Sequence, residues 1–192
     1  MKEIRTNLVT EAVFSDDQTK RYLLRKEWDG SKPKLAIIML APSEASGIEL
    51  DSTTLLVLNN ASRLGYGSVV ILNLFTTLDD FALKHAENVD KENIDIIVEE
   101  AKKADSIVYA PGVGKAKIKV FQKRQEQVVK ALRPFEEKLH CLCNKDGEAR
   151  LQHPLSPAVR EWYLSAFKVD ELISNVQPTD SSVKKKLKGQ IK

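Results

Sequence analysis

The chain has 192 residues, of which 42% are hydrophobic and 30% charged, and its formal net charge is +3. This length suits one domain with a single hydrophobic core. No run approaches the roughly 18 consecutive apolar residues that a membrane-spanning helix needs. The first residues open no long apolar stretch of the kind found in secretory signals. We therefore expect a soluble cytoplasmic protein with no membrane partner.

The surplus of positive charge is concentrated at the end of the sequence. Five lysines occur in the last nine residues, with no acid among them: Lys184, Lys185, Lys186, Lys188 and Lys192. Without them the chain holds fewer Lys and Arg than Asp and Glu, so an overall basic surface for nucleic acid is absent. We expect residues 1–177 to form one α/β domain. Residues 178–192 are expected to be a basic, disordered tail, which either aids solubility or adds sequence-independent attraction to phosphate.

The cysteine content argues against disulfides and metal clusters. Cys141 and Cys143 are two residues apart, so on a strand they share one face and cannot easily bridge each other. This agrees with a reducing compartment. His140 and His153 are the nearest further ligands, but two thiols cannot supply a four-cysteine zinc or iron–sulfur site. We expect no metal and no other cofactor.

The predicted elements begin with a β-hairpin, in which residues 7–14 and 20–28 flank a turn-rich tetrapeptide. Four apolar runs follow, typical of strands buried on both faces of a parallel sheet: 35–40, 69–72, 106–110 and 139–143. Helices are predicted after Asp51 or Ser52, after Asp90, over 116–132 and after Ser156. This alternation predicts a three-layer α/β sandwich with a short four-stranded parallel sheet plus the amino-terminal hairpin.

Ligands of such sheets bind beyond the carboxyl ends of the strands, which selects four loops. The first loop contains Pro42, Ser43 and Glu44. Proline stiffens the exit from the strand, and the serine offers a hydroxyl to a ligand. Glu44 is a candidate catalytic acid, base or water-orienting group. The alternative is a polar surface turn.

The second loop begins with Asn73, directly after an apolar strand. An amide presents both a donor and an acceptor, which suits the polar edge of a flat base. Phe75 would supply a stacking face for the same base. The alternative is that Asn73 closes the strand through local backbone hydrogen bonds.

The third loop contains Gly112, Gly114 and Lys115 before a predicted helix. Glycines let backbone amides approach an anion, and a helix amino terminus favours negative charge. These residues are therefore candidates for binding a phosphate. The spacing of a Walker motif is absent, and a plain tight turn is the alternative.

The fourth loop contains His153 between Gln152 and Pro154. An imidazole in this rigid loop can donate a hydrogen bond to a developing oxyanion or to a phosphate. His153 is the strongest histidine candidate for catalysis, because His140 falls within a strand and His85 in an exposed helix or loop.

These landmarks resemble the domain-of-unknown-function 1643 family of bacterial and phage proteins. The resemblance extends from Arg21 to Leu155. Its motifs appear here as 41–43 (Ala-Pro-Ser), 51–53 (Asp-Ser-Thr), 65–67 (Gly-Tyr-Gly), 73–75 (Asn-Leu-Phe), 145–147 (Lys-Asp-Gly) and 153–155 (His-Pro-Leu). The family pattern has Asn where this chain has Ala41. The resemblance implies no established activity.

The order of parts is similar, more remotely, to the uracil-DNA glycosylase fold. That fold has a catalytic loop after its first parallel strand, an Asn after the second and a His-Pro-Ser loop after the fourth. The resemblance implies that Asn73 reads a base, that His153 stabilises its departure and that the loop reaching Ser156 contacts phosphate. Glu44 would stand in for the catalytic carboxylate, because the first position of the loop is Ala41.

Three functions fit these features. The first is a nucleobase- or nucleotide-handling enzyme, such as an N-glycosidic hydrolase. The second is a non-catalytic module that binds a nucleobase, a nucleotide or single-stranded nucleic acid, and Ala41 favours it. The third is a protein-interaction subunit that uses the tail or the hairpin. We expect binding of a base-containing ligand at the carboxyl edge of the sheet, with or without hydrolysis.

Overall fold

The computed structural model describes residues 1–43, 47–78, 90–112, 119–147 and 151–176. Its strands are β1 (Val9–Phe14), β2 (Arg21–Glu27), β3 (Lys34–Met39), β4 (Ser68–Asn73), β5 (Ser106–Tyr109), β6 (Leu139–Cys143) and β7 (Tyr163–Ala166). Its α-helices are α1 (Ser52–Arg63), α2 (Lys91–Lys103), α3 (Lys119–Ala131) and α4 (Val169–Val176). Two 3₁₀ segments complete the described elements: Arg133–Lys138 and Pro157–Val159. The chain is therefore a mixed α/β protein.

The seven described strands belong to one sheet, in the order β1-β2-β4-β3-β5-β6-β7. The pairs β3–β4, β3–β5 and β5–β6 are parallel. The pairs β1–β2, β2–β4 and β6–β7 are antiparallel. The sheet is thus wider than the four parallel strands that we expected. The hairpin is part of the sheet, because β2 pairs along β4, and β7 adds a further strand beside β6.

The segment after Ser156 differs from its prediction. The sequence predicts a helix there, but the structure has a three-residue 3₁₀ turn, Pro157–Val159, followed by β7. β7 pairs along β6, from His140↔Ala166 to Cys143↔Tyr163. This pairing satisfies backbone groups that would otherwise remain open on the outer edge of β6. The helix starts only at Val169, as α4.

The strands alternate their side chains between two hydrophobic layers. On one face, Leu35 and Ile37 pack in a cluster with Val57 of α1. On the other face, Ile38 packs in a cluster with Ile97 of α2, which also includes residues of α3 and α4. Each fully buried aliphatic side chain contributes about 1.5–3 kcal/mol relative to exposure. We call these sides of the sheet the α1 face and the α2–α3 face.

The crossovers place a topological switch point at the carboxyl end of β3. The connection after β3 leads to α1 on one face, whereas β4 and β5 are followed by α2 and α3 on the other face. The connection after β3 therefore leads to one face of the sheet, and the connections after its neighbours β4 and β5 lead to the other. In open α/β sheets such a switch point is the usual place for a ligand. Within the described residues, no helix has the length and the apolar character required to cross a membrane.

Candidate functional site

A polar cluster lies at the carboxyl end of the sheet, around the start of α1. Asp51 is the N-cap of α1 and accepts a hydrogen bond of 2.6 Å from the Thr54 backbone N–H. The hydroxyl of Ser43 donates to the same carboxylate. Burial raises the pKa of Asp51, but these hydrogen bonds and the positive charge of Arg21 outweigh it, so the pKa is lower than usual. Asp51 is therefore ionised at neutral pH.

Arg21 reaches this cluster because β2 contains a β-bulge. Phe14 pairs with Arg21 and Val13 pairs with Leu23, so Tyr22 is an extra residue on β2. The Tyr22 hydroxyl donates to Glu92 of α2 over 3.1 Å, on the α2–α3 face. Arg21 Nη1 instead donates to the Ser43 carbonyl over 3.0 Å. Leu23 packs on the same α2–α3 face as Tyr22, so the bulge shifts the alternation of β2 and turns Arg21 towards the first loop.

The charge of Arg21 is almost fully buried, with 1% of the residue exposed. Burial lowers the pKa of its guanidinium to about 10, and the negative charge of Asp51 opposes this shift. Arg21 therefore remains protonated at neutral pH. A buried Arg beside an ionised Asp gives this end of the sheet a fixed dipole at its first loop.

Asn73 ends β4 in register with Met39, the last residue of β3. By strand alternation it follows Val69 and Ile71, which pack on the α1 face. Only 1% of Asn73 is exposed, and across the described residues neither Nδ2 nor Oδ1 of its amide has a hydrogen-bond partner. Each unsatisfied buried polar group costs roughly 1–3 kcal/mol. Such a group is expected where a ligand completes the hydrogen bonds.

His153 packs against Gly112, which follows β5. Gly112 has a φ of +83°, and a Cβ placed there would lie 3.1 Å from the Cβ of His153. Glycine therefore allows both the backbone conformation and the close approach of the two loops. The two residues come from loops distant in sequence, and both were predicted to lie at the site.

The imidazole of His153 is neutral at neutral pH. Burial lowers its pKa, and the charge of Asp51 partly opposes the shift. Its Nδ1 accepts a hydrogen bond of 3.2 Å from the Leu155 backbone N–H. A neutral ring that accepts at Nδ1 carries its proton on Nε2. His153 can therefore donate from Nε2 to an electronegative atom of a ligand.

Two predicted ligand contacts are used elsewhere in the protein. Phe75 is 8% exposed and packs on Phe121 of α3, with ring centroids 5.0 Å apart, in the α2–α3 layer. The Ser156 hydroxyl donates to Gln152 Oε1 over 2.9 Å within its own loop. Pro42 is half-buried and precedes Ser43 in the chain. The structure therefore gathers Ser43 and His153 around Asp51, with Phe75 on the opposite face.

Other predicted residues lie outside the described part of the chain. Glu44, Gly114, Lys115 and His85 belong to this group, as does the predicted tail 178–192. Among the described residues, no group of three or more His, Cys, Asp or Glu side chains is placed to hold a metal ion.

Arg21 and Asp51 belong to the cluster but were not among the predicted site residues. A signal for Arg21 was a charged residue at the start of an otherwise buried strand, where Arg is rarely buried without a partner. Asp51 was predicted as a helix cap and as part of a family motif, with no role in the site. Its contact with Ser43 depends on the conformation of the first loop, which sequence patterns do not specify.

The comparisons with known proteins give one match. A family model described as "Protein of unknown function (DUF1643)" matches residues 21–155. No curated protein and no solved structure matches the chain. The matched region starts at Arg21 and includes Asp51, Asn73 and His153. Because it spans more than half of the sequence, the chain belongs to the DUF1643 family.

Proposed function

We propose that this protein binds a nucleobase, free or within a nucleotide or nucleic acid, at the carboxyl edge of the sheet. The observation that carries the proposal is the amide of Asn73, which is buried at the end of β4 with both polar atoms unpaired in the described structure. An amide offers a donor and an acceptor side by side. The polar edges of nucleobases carry the complementary pair.

The groups near the start of α1 support this proposal. Asp51 is ionised and can accept hydrogen bonds from a ligand. His153 is neutral and donates from Nε2, so it can stabilise negative charge on a base. The parallel order β4-β3-β5-β6 is compatible with the remote resemblance to the uracil-DNA glycosylase fold.

The enzymatic form of the proposal is hydrolysis of an N-glycosidic bond. The bond between C1′ and the base nitrogen breaks, and the base leaves with the electron pair. Water adds to C1′ and gives its proton to a carboxylate. Glu44 was predicted for that role, and Asp51 is a second carboxylate near His153. His153 would donate to the departing base.

The second candidate is a binding module without catalysis, for nucleic acid or for a protein partner. Ala41 favours it: this first position of the first loop has no polar group, and its side chain packs on the hydrophobic layer of the α2–α3 face. Ligand affinity without turnover is the outcome that separates this module from the enzyme.

The decisive experiment compares ligand binding and base release for the wild type and an Asn73→Leu variant. Calorimetry would use uracil and uridine. Release would be assayed with nucleosides and with DNA containing uracil, hypoxanthine or hydroxymethyluracil. Asn59→Leu on the exposed side of α1 is the matched control. Loss of binding only in Asn73→Leu supports the proposal, whereas no binding by the wild type, or equal binding by both variants, refutes it.

A further inference from the structure

A second set of buried polar atoms lies behind Leu74, on the α2–α3 face. Arg124 of α3 is 4% exposed, and its Nε donates a 2.6 Å hydrogen bond to the Leu74 carbonyl. Its Nη2 lies 3.5 Å from the Asp90 carbonyl. Nη1 is buried and has no hydrogen-bond partner within the described ranges. One N–H donor of the charged guanidinium is therefore buried without a hydrogen-bond partner in the described structure.

The positive charge of Arg124 has no carboxylate hydrogen-bonded to it among the described residues. Burying a charge is costly unless an anion is paired with it. The charge of Asp90 reaches Arg124, but the Asp90 carboxylate already caps α2 at Asn93 N and pairs with Lys20 over 3.0 Å. Within the described residues the guanidinium therefore has no carboxylate paired with it alone.

Asn93 shares a backbone partner with Arg124 and has an acceptor of its own. Its Nδ2 donates to the carbonyls of Asn73 and Leu74, over 3.0 and 3.3 Å, and the second of these is also the carbonyl that Arg124 binds. Its Oδ1 is buried and unpaired in the described part of the structure. Arg124 and Asn93 thus present one donor and one acceptor beside the same peptide.

We propose that Arg124 and Asn93 form a binding subsite for a phosphate group. Arg124 Nη1 donates to a phosphate oxygen, and Asn93 Oδ1 accepts from a P–OH group of a monoester. Arginine forks suit phosphate because their planar donors match its oxygens. This inference rests on the proposed function when it is extended to the whole ligand: a nucleotide that crosses the end of β4 places its base at Asn73 and its phosphate at Arg124.

The test uses the full chain and three probes: inorganic phosphate, uridine and uridine 5′-monophosphate. Binding is measured by calorimetry at constant ionic strength. The wild type is expected to bind phosphate and to bind the monophosphate more tightly than uridine. Arg124→Gln should weaken phosphate binding about tenfold or more, the value of a lost hydrogen bond to a charged group. Lys130→Gln is the control, because Lys130 lies on the same helix in an exposed pair with Glu126.

Two further measurements distinguish the loss of a phosphate contact from a folding defect. Arg124→Lys keeps the charge without the fork, so its phosphate affinity should lie between those of the wild type and Arg124→Gln. In the wild type, phosphate should shift the side-chain NMR signals of Arg124. Unshifted signals, or equal weakening in Lys130→Gln, would overturn the subsite.

The subsite and the proposed function fail in different ways. If uridine and its monophosphate bind with equal affinity, and that affinity depends on Asn73, the base site is retained and the phosphate subsite is overturned. Phosphate binding at Arg124 with no affinity for any base or nucleoside would retain the subsite and refute the proposed function.

Discussion

The Cβ of His153 lies so close to Gly112 that a methyl group on that glycine would approach it to 3.1 Å. The contact joins the loop after β5 to the loop after β6, across two neighbouring parallel strands. The position of the imidazole therefore depends on a residue with no side chain.

Replacing Gly112 with alanine tests this dependence. The positive φ alone should cost roughly 1–2 kcal/mol of unfolding free energy, and the crowding against His153 should add to it. Gly147→Ala is the matched control, since Gly147 has a φ of +77° and open space around its Cβ position. Urea denaturation should show a larger loss for Gly112→Ala, and only this variant should bind ligand more weakly. Equal losses of stability would show that the contact is not tight.

Asn73→Leu is expected to remove ligand binding without lowering stability. The amide is buried and unpaired within the described structure, so replacing it with an apolar side chain should leave the unfolding free energy unchanged or raise it by about 1 kcal/mol.

Asn93→Leu is the comparison for that variant. The side chain of Asn93 donates to two backbone carbonyls, so its loss should lower the unfolding free energy by roughly 1–3 kcal/mol. Thermal and urea unfolding of both variants would measure the contrast. A clear destabilisation by Asn73→Leu would mean that its amide makes hydrogen bonds in the folded protein.

The protonation of His153 should depend on Asp51. Burial lowers the pKa of the imidazole below 6.5, while the charge of Asp51 raises it. Removing that charge in Asp51→Asn should therefore lower the pKa further. An NMR titration of the His153 ring would measure the shift. Asp170→Asn removes an exposed carboxylate of α4 and should leave the titration unchanged; an equal response to both variants would contradict a local effect.

Arg21 should stabilise the protein against acid through Asp51. The pKa of Asp51 is below its ordinary 3.8 in the folded protein. Its contribution to stability is therefore complete above that value and is lost as the pH falls through the lower, folded pKa. In Arg21→Met the folded pKa of Asp51 should rise towards 3.8, so the acid loss of stability that comes from Asp51 should be smaller and should be complete at a higher pH.

Unfolding free energies between pH 2 and pH 6 would test this, with Arg160→Met as the control, because Arg160 is exposed at the end of the Pro157–Val159 turn. A difference between Arg21→Met and the wild type that stays constant across this range would argue against a link between the two charges.

Much of the fold could be predicted from local patterns in the sequence. The four apolar runs coincide with β3, β4, β5 and β6, because strands buried on both faces need continuous apolar side chains. Asp51 and Asp90 cap helices as predicted, since an Asp that accepts from a backbone N–H is a local signal.

The pairing of strands that are distant in sequence was harder to predict. β7 is only four residues long, and the sequence predicted a helix there because Ser156 followed by Pro157 is a strong local signal for a helix start. The strand forms because the edge of β6 is free to pair, which depends on the tertiary structure. In the same way, the importance of Arg21 depends on a bulge whose position is set by the register of two strands.

The family match covers residues 21–155, yet the sheet extends beyond both of its limits. β1 shields the seven-residue strand β2, and β7 shields β6. A fragment cut at the matched boundaries would leave both strands with open backbone donors and acceptors. It should therefore self-associate edge to edge. The flanking strands therefore cover both edges of the matched region, and any shortened form should begin before Val9 and end after Ala166.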